Sequence, residues 1–141
     1  MKEKISRFTL DAFPLVVLFS HQKGWEFAKQ KLDEVFNSDE QTLMSSVNLG
    51  EVYYSILRDR GQDAANHVLH YIENSQIEII FPTMEQTIQA AKFKSGGGLS
   101  YADCYAAALA LEHGISVITG DREFEIVERQ GVKIEWLPKN R

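Results

Sequence analysis

The sequence has a single cysteine, Cys104, which excludes an internal disulfide and a cysteine-based metal cluster and leaves that residue as small core filler. Its longest unbroken apolar stretch, Phe13 to Phe19, falls far short of the roughly 20 residues that span a bilayer, and the opening MKEKISRF holds no signal-peptide core. Both shortages lead us to expect a soluble, cytoplasmic chain without membrane contact. Positive charge is scarce too. Fifteen Lys and Arg against 20 Asp and Glu leave a formal charge of −5, which argues against coating nucleic acid through bulk positive charge. An enzyme whose acidic pocket holds cations stays open. Repeats, linkers and low-complexity segments are also missing, so the 141 residues are expected to form one domain, 1–141, with enough apolar content (44%) for a core.

What the chain does have is alternation of strands and helices. Phe8 to Asp11 reads as a strand, and Pro14 opens the helix PLVVLFS. Trp25 to Phe36 is amphipathic, with Phe27, Leu32, Val35 and Phe36 at roughly helical spacing, and Thr42 to Val47 is a second strand. Asn48 with Glu51 three positions on reads as a helix start, running to Gly61, and another helix covers Gln62 to Asn74. Strand 77 to 81 ends at Pro82, and in the helix Thr83 to Lys94 the residues Met84, Ile88, Ala91 and Phe93 are expected to face inward. Beyond the flexible break SGGG come a helix Ser100 to His113, a strand Ile115 to Thr119, a helix from Arg122 to about Gln130 stopped by Gly131, and a strand Lys133 to Leu137. Such alternation indicates an α/β domain whose mainly parallel sheet is covered by helices on both faces.

The acids at the junctions carry the chemistry. Ser100 with Asp103 approximates a capping box, and Asp121 is a plausible N-cap, so each has a purely structural role available. In a parallel sheet, however, the strand-to-helix junctions share one edge, and ligands bind beyond the carboxyl ends of the strands. Asp11 ends the first strand, Glu51 opens the helix after the second, and Asp121 follows the fourth, so topology brings these three to one edge. Two helices separate the third and fourth strands, and topology leaves the placement of Asp103 open. Converging carboxylates repel and desolvate one another unless cations neutralise them, and hard divalent ions suit an all-oxygen site. Such ions help water attack a phosphodiester and shield the departing oxygen.

Three segments, FTLDAFPLVVLF, SSVNLGEVYYSILR and LSYADCYAAALALEHGISVITGDREF, resemble the PIN-domain ribonucleases of the VapC toxin type, in that family's order and over almost the whole chain. The resemblance implies a three-layer α/β/α sandwich and a Mg²⁺- or Mn²⁺-dependent endoribonuclease site of Asp11, Glu51, Asp103 and Asp121 holding one or two ions. It implies that Asp103 joins the other three, and that Thr119 supports the site beside the last acid. It also implies the toxin of a type II toxin–antitoxin system, with an RNA substrate, a small antitoxin partner and a homodimer. One departure from the family pattern is Ala12, where a serine or threonine often follows the first aspartate. The alternative is a catalytically degenerate PIN module that binds RNA or protein without cutting.

Other residues are weighed beside these. Glu123 could add a ligand next to Asp121 or simply complement a helix dipole. Lys92, Lys94 and Arg122 could contact RNA phosphates, or be solvated surface cations. His67 and His70 lack companions for a zinc set, and GGG at 96 to 98 lacks the lysine of a phosphate loop.

Overall fold

A strand-then-helix rhythm runs through residues 6–138, the part of the chain that the computed structural model describes. Part of the amino-terminal stretch read above for a leader core, residues 1–5, lies outside it. The order is β1 (Ser6–Leu10), α1 (Phe13–Phe19), α2 (Trp25–Phe36), β2 (Gln41–Ser45), α3 (Ser46–Arg60), α4 (Gln62–Glu73), β3 (Ile77–Ile80), α5 (Met84–Ser95), α6 (Tyr101–His113), β4 (Ser116–Thr119), a 3-10 turn Arg122–Phe124, α7 (Glu125–Glu128) and β5 (Lys133–Trp136). The sheet order is β3-β2-β1-β4-β5, and all four pairings are parallel. The expected three-layer α/β/α architecture is present.

Parallel neighbours need crossovers, and crossovers bring helices to both faces. From β1 the chain steps outward to β2 and β3 through α1 to α4, which bury Leu15, Leu32, Val52, Ile56 and Val68 against Phe8, Leu10 and Met44 on one face. It then passes back beyond β1 to β4 through α5 and α6, which bury Phe93, Leu109 and their neighbours against Leu43 and Val117 on the other. Among the described residues no helix is long and apolar enough to cross a membrane.

Helix α6 lies between the sheet, α3 and α5, and every residue from Asp103 to Ala110 is buried. A helix covered on all sides is apolar all round, and its alanines let three neighbours approach closely. Gly114, at φ 64°, ends it in the left-handed conformation that glycine adopts without strain, as its place behind the periodic run predicts.

Several local expectations are corrected. Helix α3 starts at Ser46, inside the expected second strand, because the Ser45 side chain accepts a hydrogen bond from the Val47 backbone N–H; Asn48 is therefore not the cap. In α2 the core face uses Ala28, Leu32 and Val35, while Phe27 is exposed. In α5 the inward face is Gln86, Ala90 and Phe93; Met84 is 81% exposed, Ile88 52%, and Ala91 also faces out. Hydropathy misleads here because Gln86 is buried with a partner, donating from Nε2 to Glu112 Oε2 at 2.6 Å, which satisfies a polar group that a pattern reading assigns to water. The helix expected after Asp121 is shorter, a 3-10 turn followed by one turn of α-helix. Gly97 and Gly98 form a turn at positive φ, and a Cβ on Gly98 would run into the Ile126 side chain, so within the glycine run Gly98 packs closely while Gly97 has open space around it.

The α5 correction has a measurable consequence. Phe93→Ala should cost about 3–5 kcal/mol of unfolding free energy, whereas Met84→Ser or Ile88→Ser should stay within about 0.5 kcal/mol. Chemical denaturation of the three variants checks this, and equal losses would restore the hydropathy-based facing.

Candidate active site

The strand order reverses between β1 and β4, so the crevice of this sheet opens at their carboxyl ends. Asp11 follows β1 directly and Asp121 stands two residues beyond β4. Glu51 lies in the second turn of α3, just after β2. Asp103 sits in the first turn of α6, which runs back through Gly114 to the start of β4 and so begins at the same edge as the strand ends. The four carboxylates, together with Phe13, Gln22 and Ser55, line one cavity of about 180 Å³. A larger cavity of about 510 Å³ opens near the start of β1, but both cations that line it already pair, Arg7 with Glu40 at 2.9 Å and Lys31 with Glu135 at 2.8 Å. The charged residues lining the smaller one are all carboxylates.

Asp11 is 1% exposed and is held at both oxygens. Its Oδ2 accepts from Thr119 Oγ1 at 2.8 Å, and its Oδ1 accepts from the Phe13 backbone N–H at 3.2 Å. Ala12 has no hydroxyl to offer, and the neighbouring strand supplies one through Thr119. The same Thr119 Oγ1 accepts from the Asp121 backbone N–H at 3.1 Å, so one buried hydroxyl fixes both acids across the switch point. Asp121 Oδ1 in turn accepts from the Glu123 N–H at 3.0 Å. Carboxylate oxygens of Asp103, Asp121 and Glu123 all lie within 4.8 Å of one another, which brings Glu123 into the group.

Asn48, expected as a cap, is fully buried and donates from Nδ2 to the Ala102 carbonyl at 3.0 Å. That bond ties α3 to α6 beside the two residues, Glu51 and Asp103, that these helices bring to the cavity. Sequence reading assigned Asn48 to the wrong role, and it passed over Gln22 and Ser55. Helical spacing could have found Ser55, four residues after Glu51; Gln22 sits on a loop and leaves no pattern.

The electrostatics follow from this crowding. Burial first, then repulsion from Asp103, pushes the Asp11 carboxyl well above the usual carboxylate range, against the opposing pull of the Thr119 hydrogen bond. Burial likewise pushes Asp103 up to about 7, offset in part by its hydrogen bond with Ser100 and reinforced by Glu51, Asp121 and Glu123. Glu51 is raised by burial and by Asp121, and its Oε1 is buried with no hydrogen-bond partner among the described residues. A buried carboxylate oxygen without a donor is costly, and a divalent cation is a partner such a donor set fits.

The other candidates sit further out. Lys94 donates from Nζ to the Leu99 carbonyl at 3.0 Å, and Lys92 is exposed on α5; neither lines the acid cavity. Arg122 is also absent from its lining, and its guanidinium lies 4.4 Å from the centre of the Trp136 ring.

Comparison with known proteins bears on this arrangement. The family model of the PIN domain matches residues 9–130. Among solved structures, the fold is similar to the DNA-bound VapBC of Salmonella typhimurium (TM-score 0.75, 19% identity, covering 95% of this chain and 100% of that one). It is also similar to VapC20 of Mycobacterium tuberculosis, a sarcin-ricin loop cleaving toxin (TM-score 0.73, 17% identity, 84% and 92% covered), and to FitAcB of Neisseria gonorrhoeae (TM-score 0.67, 20% identity, 90% and 95% covered). A search of curated proteins finds no match.

The raised carboxyls predict how stability depends on pH. Folded Asp11 and Asp103 keep their protons to higher pH than they do unfolded, so the folded state binds more protons and is destabilised as pH rises from the ordinary carboxylate range through about 7. In chelator, Tm should therefore fall between about pH 5 and about pH 8, and Asp103→Asn should raise Tm by about 3–6 °C at the upper end with little change at the lower. Thermal scans across that window check it; a variant whose curve parallels the parent's would contradict the assignment.

Proposed function

The chain belongs to the PIN-domain family, and from that membership and its converging acids we propose that it is a Mg²⁺- or Mn²⁺-dependent endoribonuclease, the toxin of a type II toxin–antitoxin pair. The observation that carries the reading is the shared cavity of Asp11, Glu51, Asp103 and Asp121 at the sheet's switch point, with Glu123 alongside. Asp103, Asp121 and Glu123 are close enough to hold one ion in common, and Asp11 and the unpartnered Glu51 oxygen offer further ligands for it or for a second. A divalent ion bound there would lower the pKa of the attacking water and take up charge developing on the phosphodiester.

The chain's own residues supply orientation and charge. Thr119 and the Phe13 N–H aim the two oxygens of Asp11, the Asn48–Ala102 bond sets α6 against α3, and the acids in sum attract cations to a place a phosphodiester would otherwise avoid. The reading extends to a small antitoxin partner, in line with the VapBC assembly among the similar structures, and to a homodimer and a cytoplasmic setting. The exposed apolar row Phe81, Met84 and Ile88 supports contact with a second protein chain.

Purified protein should cleave single-stranded RNA with Mn²⁺ or Mg²⁺ and lose that activity in chelator. Asp11→Asn and Asp103→Asn should abolish cleavage while keeping a cooperative thermal transition, and Thr119→Val should lower it about 10–100-fold with a higher metal requirement. Gel-based cleavage assays over a metal titration test all of these. Metal-dependent binding of RNA without any cutting would point instead to a degenerate PIN module.

A further inference from the structure

A second cleft adjoins the acid cavity. It encloses about 280 Å³, and Phe13, Val17, Lys23, Phe27, Arg122 and Leu137 contribute to its walls. Phe13 and Val17 line both spaces. The Phe13 ring is pressed onto the backbone at Gly120, where a Cβ would come within 2.5 Å of its Cε1, so the ring forms a fixed sill between the acids and the cleft. A polymer with one phosphate at the acids can reach the cleft by laying its adjoining unit across this ring.

The charges of the cleft are opposite in sign to those of the acid cavity. Neither Lys23 nor Arg122 forms an ion pair among the described residues, a state they share with Arg60, Lys92, Lys94 and Lys133, none of which lines this cleft. On a chain with a formal charge of −5, two unpaired cations at one opening next to a carboxylate cluster form a local site for an anion. Arg122 is also held in place. Its guanidinium lies over Trp136, and Trp136 donates from Nε1 to Glu128 Oε2 at 3.0 Å. Phe27, 42% exposed on the outward side of α2, adds an open aromatic surface at the same opening.

We infer that this cleft is a nucleotide subsite, taking the unit of a single-stranded RNA next to the phosphodiester at the acids, with Lys23 and Arg122 on its phosphate and Phe27 against its base. The inference rests on the nuclease reading above and adds to it where the strand runs. Paired cations and an exposed ring suit single-stranded nucleic acid, in which phosphates alternate with bases free to stack. Helical nucleic acid keeps its bases inside and could not use Phe27 in this way.

The test uses a fluorescein-labelled oligouridine strand, Mn²⁺ and the full-length chain carrying Asp103→Asn, so that the probe is bound but not cut. Adding Lys23→Ala and Arg122→Ala together should make the plot of log affinity against log salt shallower by about 0.7, the contribution of the one phosphate they hold. Adding Phe27→Ala should weaken binding about tenfold with the salt slope unchanged. Thermal unfolding shows whether each variant keeps the parent's fold. Unchanged affinity and slope in both variants would overturn the subsite, and wild-type cleavage would then leave the nuclease reading standing. Failure of the parent to bind the strand overturns the subsite, and the nuclease reading falls with it if the wild type also leaves RNA uncut. Variants that bind RNA normally but lose a protein partner would assign the cleft to that partner and overturn the inference.

Discussion

The hydroxyl of Thr119 links the two central strands to the chemistry they present. It donates to Asp11 at the end of β1 and accepts from the backbone of Asp121 beyond β4, across the one place where the strand order reverses. A buried carboxylate needs donors, and in this position few are available. The crossovers of a parallel sheet bring all strand ends to one edge, but a topological rule places elements to within several ångströms only. The Thr119 hydroxyl reduces that placement to hydrogen-bond distances. Its counterpart on the helix side is Asn48, which fastens α3 to the first turn of α6.

Holding several acids in one cavity works against folding, and the rest of the molecule offsets the cost. Asp11 and Asp103 lose hydration and face other carboxylates, which is why their protons are retained to unusually high pH. The helix bearing Asp103 is also the most deeply buried, with an unbroken covered run from Asp103 to Ala110. Apolar burial there anchors a helix whose first turn is electrostatically unfavourable. A divalent ion bound as proposed would remove the penalty at its source, and occupancy of the site would then stabilise the fold through the same carboxylates.

The three acids at strand-to-helix junctions could be read from the sequence because their neighbours are strongly patterned: a β-branched run before Asp121, a short strand before Asp11, a periodic helix around Glu51. Asp103 could not be placed from topology, since the direction of α6 depends on how two helices share one face. Glu123 was ambiguous for a related reason, as a residue in the first turn of a helix serves a dipole or a ligand set equally well until its neighbours are known. The misread faces of α2 and α5 share one cause. Phe27 and Met84 are apolar and stay exposed, while Gln86 is polar and buried, because packing against a particular neighbour outweighs average hydropathy.

By itself the sequence determined the order and kind of the elements, the parallel sheet they imply and the helix-ending role of Gly114, all of which follow from local periodicity and backbone sterics. Only the tertiary structure decided which acids share a cavity, which hydroxyl orients Asp11, and that Lys23 and Phe27, on neither side of any motif, open onto a cleft beside it. Those relations join residues such as Asp11 and Thr119, which stand 108 positions apart. A contact at that separation leaves no periodic trace in either segment, because it comes from the register of β1 on β4 and not from anything the chain does locally.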